Sequence, residues 1–82
     1  MPKFMDYHEK PPPMPPEVMH QMQARIKAGQ SDENGVTPLN VFVSGEGEAY
    51  CLSEAPNAEA VRKAHEAAGV PVEKIVEVNS LV

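Results

Sequence analysis

At 82 residues the chain is one small domain, residues 1–82, and a chain of this size hides only roughly 60 to 65% of its unfolded surface, so its core must be thin. Twelve acidic against seven basic side chains give a formal charge of -5, which argues against the clustered Lys and Arg of a phosphate-backbone binder, so nucleic acid is not an expected partner. No apolar run approaches the roughly 18 to 20 residues of a membrane span, and a single cysteine, Cys51, excludes an internal disulfide and fits a reducing compartment, so a cytoplasmic protein with no membrane partner is expected.

Residues 3–9, Lys-Phe-Met-Asp-Tyr-His-Glu, are expected to form a first strand, although Asp6 and His8 stand where uniform apolar alternation would place hydrophobes. Prolines 11, 12, 13, 15 and 16 end it, because proline donates no ladder hydrogen bond, and residues 10–16 become a stiff connector. Val18, Met19, Met22 and Ile26 recur at helical spacing from Pro16 to Gly29, which predicts a first helix over about residues 16–28 with most of its methionines filling the core. Gln30 to Gly35 is a polar loop. Leu39, Val41 and Val43 alternate through a second strand, Gly45-Glu46-Gly47 closes a hairpin, and Glu48 to Ser53 forms a third strand with Ala49, Cys51 and Ser53 on one side. Which side meets the helices is open at this point. Asn57 is suited to cap a second helix whose face is Val61, Ala64 and Ala68 and whose stop is Gly69, with His65 bordering that face. Ile75, Val76 and Val78 make a fourth strand, and Leu81-Val82 is free to pair further or to meet a partner.

The order strand, helix, strand, strand, helix, strand is the split βαβ plan of the ferredoxin-like fold: α+β, an antiparallel sheet with both helices on one face. The other face needs a cover. With no Trp, two Phe and two Tyr there is little aromatic area to bury, and a homodimer is the expected solution.

No Gly-rich phosphate loop, His-Glu-x-x-His pair, Gly-x-Ser-x-Gly elbow or Cys-x-x-Cys pair is present. The informative residues are His8, His20, His65 and Cys51, with Asp6 or Glu9 beside His8 to supply an oxygen. The fold is expected to bring the end of the first strand, the start of the first helix with His20, the start of the third strand and the end of the second helix to one edge of the sheet. Imidazole, carboxylate and thiolate together suit a borderline divalent metal such as nickel, copper, zinc or cobalt, whereas magnesium and calcium want more oxygens. His8 is the first expected ligand, as a strand-end residue that reaches solvent.

Three segments carry a resemblance: Met5-Asp6-x-His8; Cys51-Leu52-x-Glu54-Ala55-Pro56; and Val61 followed four residues later by His65. In these, and over essentially its whole length, the chain resembles a family of very small bacterial nickel-responsive proteins. The resemblance implies a ferredoxin-like subunit, a homodimer, nickel(II) held at its surface, and sequestration or detoxification rather than catalysis. The expected metal residues are therefore His8, Asp6, Glu9, His20, His65 and Cys51, with metal-bridged higher association of dimers as a corollary. The alternative is a small dimeric ferredoxin-like enzyme, of the cofactor-free oxygenase or isomerase type, for which an apolar cavity enclosing His8 would speak. An interaction module docking through the connector or the tail is a third reading.

Overall fold

The computed structural model describes Met1–Val82 and contains six elements: β1 (Lys3–His8), α1 (Pro16–Ala28), β2 (Thr37–Val43), β3 (Ala49–Glu54), α2 (Ala58–Ala67) and β4 (Lys74–Val78). All strand pairs are antiparallel, in the order β2-β3-β1-β4, which is the ferredoxin-like sheet expected from the element order. Element limits agree with the sequence pattern to within a residue or two. The termini follow the expected chemistry: α1 opens on a proline, and the Asn57 side chain accepts from the Ala60 N–H at 2.8 Å to cap α2. Gly29 and Gly69 follow the helices with φ of 64° and 71°, the left-handed geometry that a side chain disfavours.

Register settles which sheet face is covered. Asp6 stands opposite Cys51 and Ile75, Phe4 opposite Ser53, and His8 opposite Ala49; paired residues share a face, and this is the face under the helices. The open face carries two apolar rows, Leu52-Met5-Val76 and Phe42-Tyr50-Tyr7, with the Tyr7 and Tyr50 rings 5.1 Å apart. The Tyr7 hydroxyl donates to Glu48, and this bond, followed by burial and the negative charge of Glu48, pushes its pKa up to about 12. A bulge between Pro38 and Asn40 interrupts β2, an edge strand, where a proline and a register slip cost least.

The core is thin and lopsided. Phe4, Val36, Ala55 and Val61 form its apolar cluster, with Ala60, Ala64 and Ile75 packed against it, so α2 is the helix that closes the sheet. Three of the eight buried residues, Asp6, His8 and Ser53, are polar, so part of the interior is held by hydrogen bonds rather than by apolar area. α1 contributes no buried residue at all: Val18 and Met19 are 42% and 45% exposed. The expectation that the α1 methionines fill the core is therefore corrected. Helical spacing alone does not bury a stripe: α1 packs against β2, but an open groove lined by Met19, Met22 and Ile26 runs along its inner side.

Val61→Ala is accordingly expected to cost about 2 kcal/mol, as two methyl groups leave a filled site, whereas Met19→Ala should change stability by less than about 0.5 kcal/mol. Urea unfolding of the two variants checks this; equal losses would mean that α1 packs as tightly as α2.

Candidate metal centre

The site begins as a problem in the middle of β1. Strand parity turns Asp6 inward, where its side chain is fully buried between β3 and β4, and a carboxylate in such a position requires partners. Two histidines supply them. His8 Nε2 lies 2.5 Å and His65 Nε2 lies 3.3 Å from Asp6 Oδ1, and the two rings are 5.0 Å apart at 34°. Cys51 Sγ is 3.6 Å from His8 Nε2. The four donor atoms of Asp6, His8, Cys51 and His65 all fall within 4.8 Å of one another. Donors sharing one ion at about 2.0 to 2.3 Å stand roughly 3 to 3.7 Å apart; the His65–Asp6 and Cys51–His8 separations of 3.3 and 3.6 Å have that spacing, while His8 and Asp6 at 2.5 Å would have to part to admit an ion.

The outer nitrogens decide what the inner ones are. His8 Nδ1 is 2.7 Å from the Pro71 carbonyl and His65 Nδ1 is 2.8 Å from the Val61 carbonyl. A carbonyl oxygen only accepts, so both Nδ1 atoms carry hydrogen and donate. In the neutral rings both Nε2 atoms are then lone pairs aimed at a carboxylate oxygen, an acceptor facing acceptors. Something positive has to lie between them: a proton on one imidazole, or a cation. Rings anchored by Nδ1–H to backbone carbonyls, with Nε2 free to converge, are the arrangement that holds histidine ligands to a metal. Asp6 Oδ2 adds to this, being buried without any hydrogen-bond partner.

Burial, then the negative charge of Asp6 and a hydrogen bond to its carboxylate, push the Cys51 thiol up to about 12. Burial would lower His65, but the hydrogen bond to Asp6, the bond to Val61 and the charges of Asp6 and Asp32 outweigh it and raise its pKa. Without a cation the cluster thus holds its protons tightly; two imidazoles, a carboxylate and a thiol would suit a borderline divalent metal better than a hard one.

Beside the cluster lies a cavity of about 190 Å³ whose wall includes His8, Cys51 and His65 together with Arg25 and Met22 of α1. It continues into a wider groove of about 480 Å³ beneath α1, the two sharing Met14, Met22, Val41 and Ala49.

Comparison with known proteins gives the family. Residues 4–78 match the family model described as nickel responsive protein, SCO4226-like. The chain belongs to the SCO4226-like family. The crystal structure of SCO4226 from Streptomyces coelicolor A3(2) is similar to it at 36% identity and a TM-score of 0.70, the match covering 98% of this chain and 99% of that one. No curated protein matches the chain.

The three segments that suggested the SCO4226-like family come from three elements and meet at one place: Asp6 and His8 on β1, Cys51 on β3, and His65 in the last turn of α2. Glu9 and His20 do not join them. Glu9 is exposed, its backbone N–H donating to Glu73 Oε2 at 3.0 Å, and His20 is exposed on α1. The expectation of a solvent-facing His8 is corrected: the residue is 2% exposed, because parity with Phe4 and Asp6 turns it inward and the chain at Pro71 closes over it. The carbonyls of Val61 and Pro71 were not foreseen, since no side-chain pattern marks a backbone acceptor. Arg25 was also missed, although its place three residues after Met22 puts it on the same helical face.

Both raised pKa values have one sign in stability. A group whose pKa is raised on folding stabilises the chain fully below its unfolded value and loses that contribution as pH rises through the folded value. For His65 the loss begins above 6.5, and for Cys51 it runs from 9.0 to about 12. Chelator-treated protein should therefore melt at a lower temperature at about pH 8.5 than at about pH 6.5, and a bound divalent cation, which takes the protons' place, should reverse that order. Asp6→Asn provides a second check. Its amide N–H can donate to the histidine lone pairs, so the metal-free melting temperature should hold or rise while the metal-induced increase disappears.

Proposed function

We propose that the protein is a nickel-binding protein that takes up one Ni2+ per chain at Asp6, His8, Cys51 and His65, and that its role is sequestration or buffering of the ion rather than catalysis. The observation that carries this reading is the convergence of two Nδ1-anchored imidazoles on a buried carboxylate. A carboxylate and a thiolate would bring two negative charges, which balance a divalent cation in a site that water does not reach freely. The family's description as nickel responsive supports nickel among the borderline metals. Uptake has to displace the Cys51 proton, so binding should be coupled to proton release and weaken in acid.

A cytoplasmic homodimer is part of the proposal. The thiol of Cys51 is unpaired, which suits a reducing compartment, and no helix is long and apolar enough to cross a membrane. The open sheet face presents Phe42 and Val76, 49% and 39% exposed, in rows that a second copy can cover. Of the three histidines only His20 is exposed, so metal-bridged association of dimers would rest on that residue.

A second reading, a small ferredoxin-like enzyme with a pocket near His8, is favoured by the cavity against the cluster. The geometry weighs against His8 or His65 as its base: both Nδ1 atoms donate to backbone carbonyls, and both Nε2 lone pairs point at the buried Asp6 carboxylate, beside which a substrate would have to place its proton.

Calorimetric titration of chelator-treated protein with nickel should saturate at one ion per chain. His8→Ala and His65→Ala should each weaken binding at least about a hundredfold, while Glu9→Ala and His20→Ala leave it intact. Thiolate-to-nickel charge-transfer absorption should appear in the wild type and be absent from Cys51→Ser. Loss of uptake in His20→Ala but not in His8→Ala would sink the assignment. Sedimentation should give a dimer that Phe42→Glu converts to monomer.

A further inference from the structure

The cavity beside the cluster has a use that the metal reading does not absorb. Its volume of about 190 Å³ is close to that of a cavity known to hold benzene, which sets the scale of an occupant at about six to ten non-hydrogen atoms. Half of its lining residues are hydrophobic, among them Met22, Val36, Val41 and Ala64. Stiff prolines, Pro11 and Pro12, form part of its rim, and α1 above it has no side chain packed into the core, so the space is kept open and is reached along the groove. One full positive charge lies on the wall. Arg25 is half-buried there and has no carboxylate within 4.0 Å, since the ion pairs of the chain are His8–Asp6, His65–Asp6 and Arg62–Glu59. The acidic wall residue, Asp32, is engaged: its Oδ1 accepts from the N–H groups of Asn34 and Val36 at 2.8 and 3.1 Å.

We infer that this cavity binds a small organic monocarboxylate with a compact apolar body, the carboxylate held by Arg25 and the body lodged among Met22, Val41 and Ala64. An unpaired guanidinium in a mostly apolar chamber recognises a planar anion by paired N–H donors, and the walls reward a carbon skeleton over an inorganic ion. A dianion such as phosphate is disfavoured by Asp32 on the wall and Asp6 behind the histidines. The chamber adjoins the metal ligands, since His8, Cys51 and His65 stand on its wall, but its anion-binding group, Arg25, comes from α1, which supplies none of the cluster.

The test uses benzoate, with acetate, inorganic phosphate and benzyl alcohol as comparisons, titrated by ligand-observed NMR and calorimetry into the full chain with and without one equivalent of nickel. Saturable benzoate binding in either form, stronger than for the three comparison molecules, is the expected result. Arg25→Gln, an exchange on α1, should lower benzoate affinity about tenfold or more while leaving benzyl alcohol unchanged. Ala64→Leu, confirmed as folded by circular dichroism, should abolish binding by filling the chamber. No benzoate binding in both forms, or binding indifferent to Arg25→Gln, overturns the inference, and neither result bears on nickel uptake, which the His8 and His65 variants read separately.

Discussion

A buried carboxylate in the central part of the sheet is the constraint around which this small protein is arranged. Asp6 has no access to solvent, and an uncompensated charge there would cost several kcal/mol. The compensation is drawn from elsewhere in the chain: His8 from the end of the same strand, His65 from the last turn of α2, and Cys51 from the strand alongside. Each histidine is in turn oriented by a backbone carbonyl, one in α2 and one in the segment leading to β4. The Asp6 contact therefore ties α2 to the sheet alongside the apolar packing of Val61.

The same arrangement explains why the molecule is uneven. With polar groups occupying part of the space under α2, the apolar cluster is only Phe4, Val36, Ala55 and Val61, and it lies on the α2 side. On the α1 side no helix residue is buried, and a cavity rimmed by the proline connector lies where a core would be. A half with packed side chains fixes donor atoms in place; a half without them provides access and room. The donor cluster and a chamber next to it are thus two results of one asymmetry. The SCO4226-like family to which the chain belongs is described as nickel responsive, which fits the donor cluster, while the place of Arg25 on the chamber wall is read from this chain alone.

Much of this was legible in the sequence, and the reason is local. Alternation, helical spacing, Asn57 as a cap and the two terminating glycines act through neighbours a few residues apart, so the six elements and their order follow from the chain read in one dimension. The anomalous Asp6 and His8 within an otherwise strand-like segment were visible as candidates for the same reason, since a polar residue at an expected apolar position stands out from its own surroundings. Cys51 and His65 were plausible because the ferredoxin-like order brings their elements toward one edge.

The tertiary structure decided what depends on distance between remote segments. Parity made Asp6 and His8 share a face, but only the placement of α2 and of Pro71 determined that this face is the covered one, which turned a histidine expected in solvent into a buried one. The choice of Cys51 and His65 as neighbours of Asp6, and the separation of Glu9 and His20 from it, arises from packing between segments remote in the chain. The tautomers were set by backbone carbonyls, which every residue possesses and no sequence pattern marks. The exposure of the α1 methionines was equally hidden, because a methionine stripe has the same spacing whether or not the helix buries it.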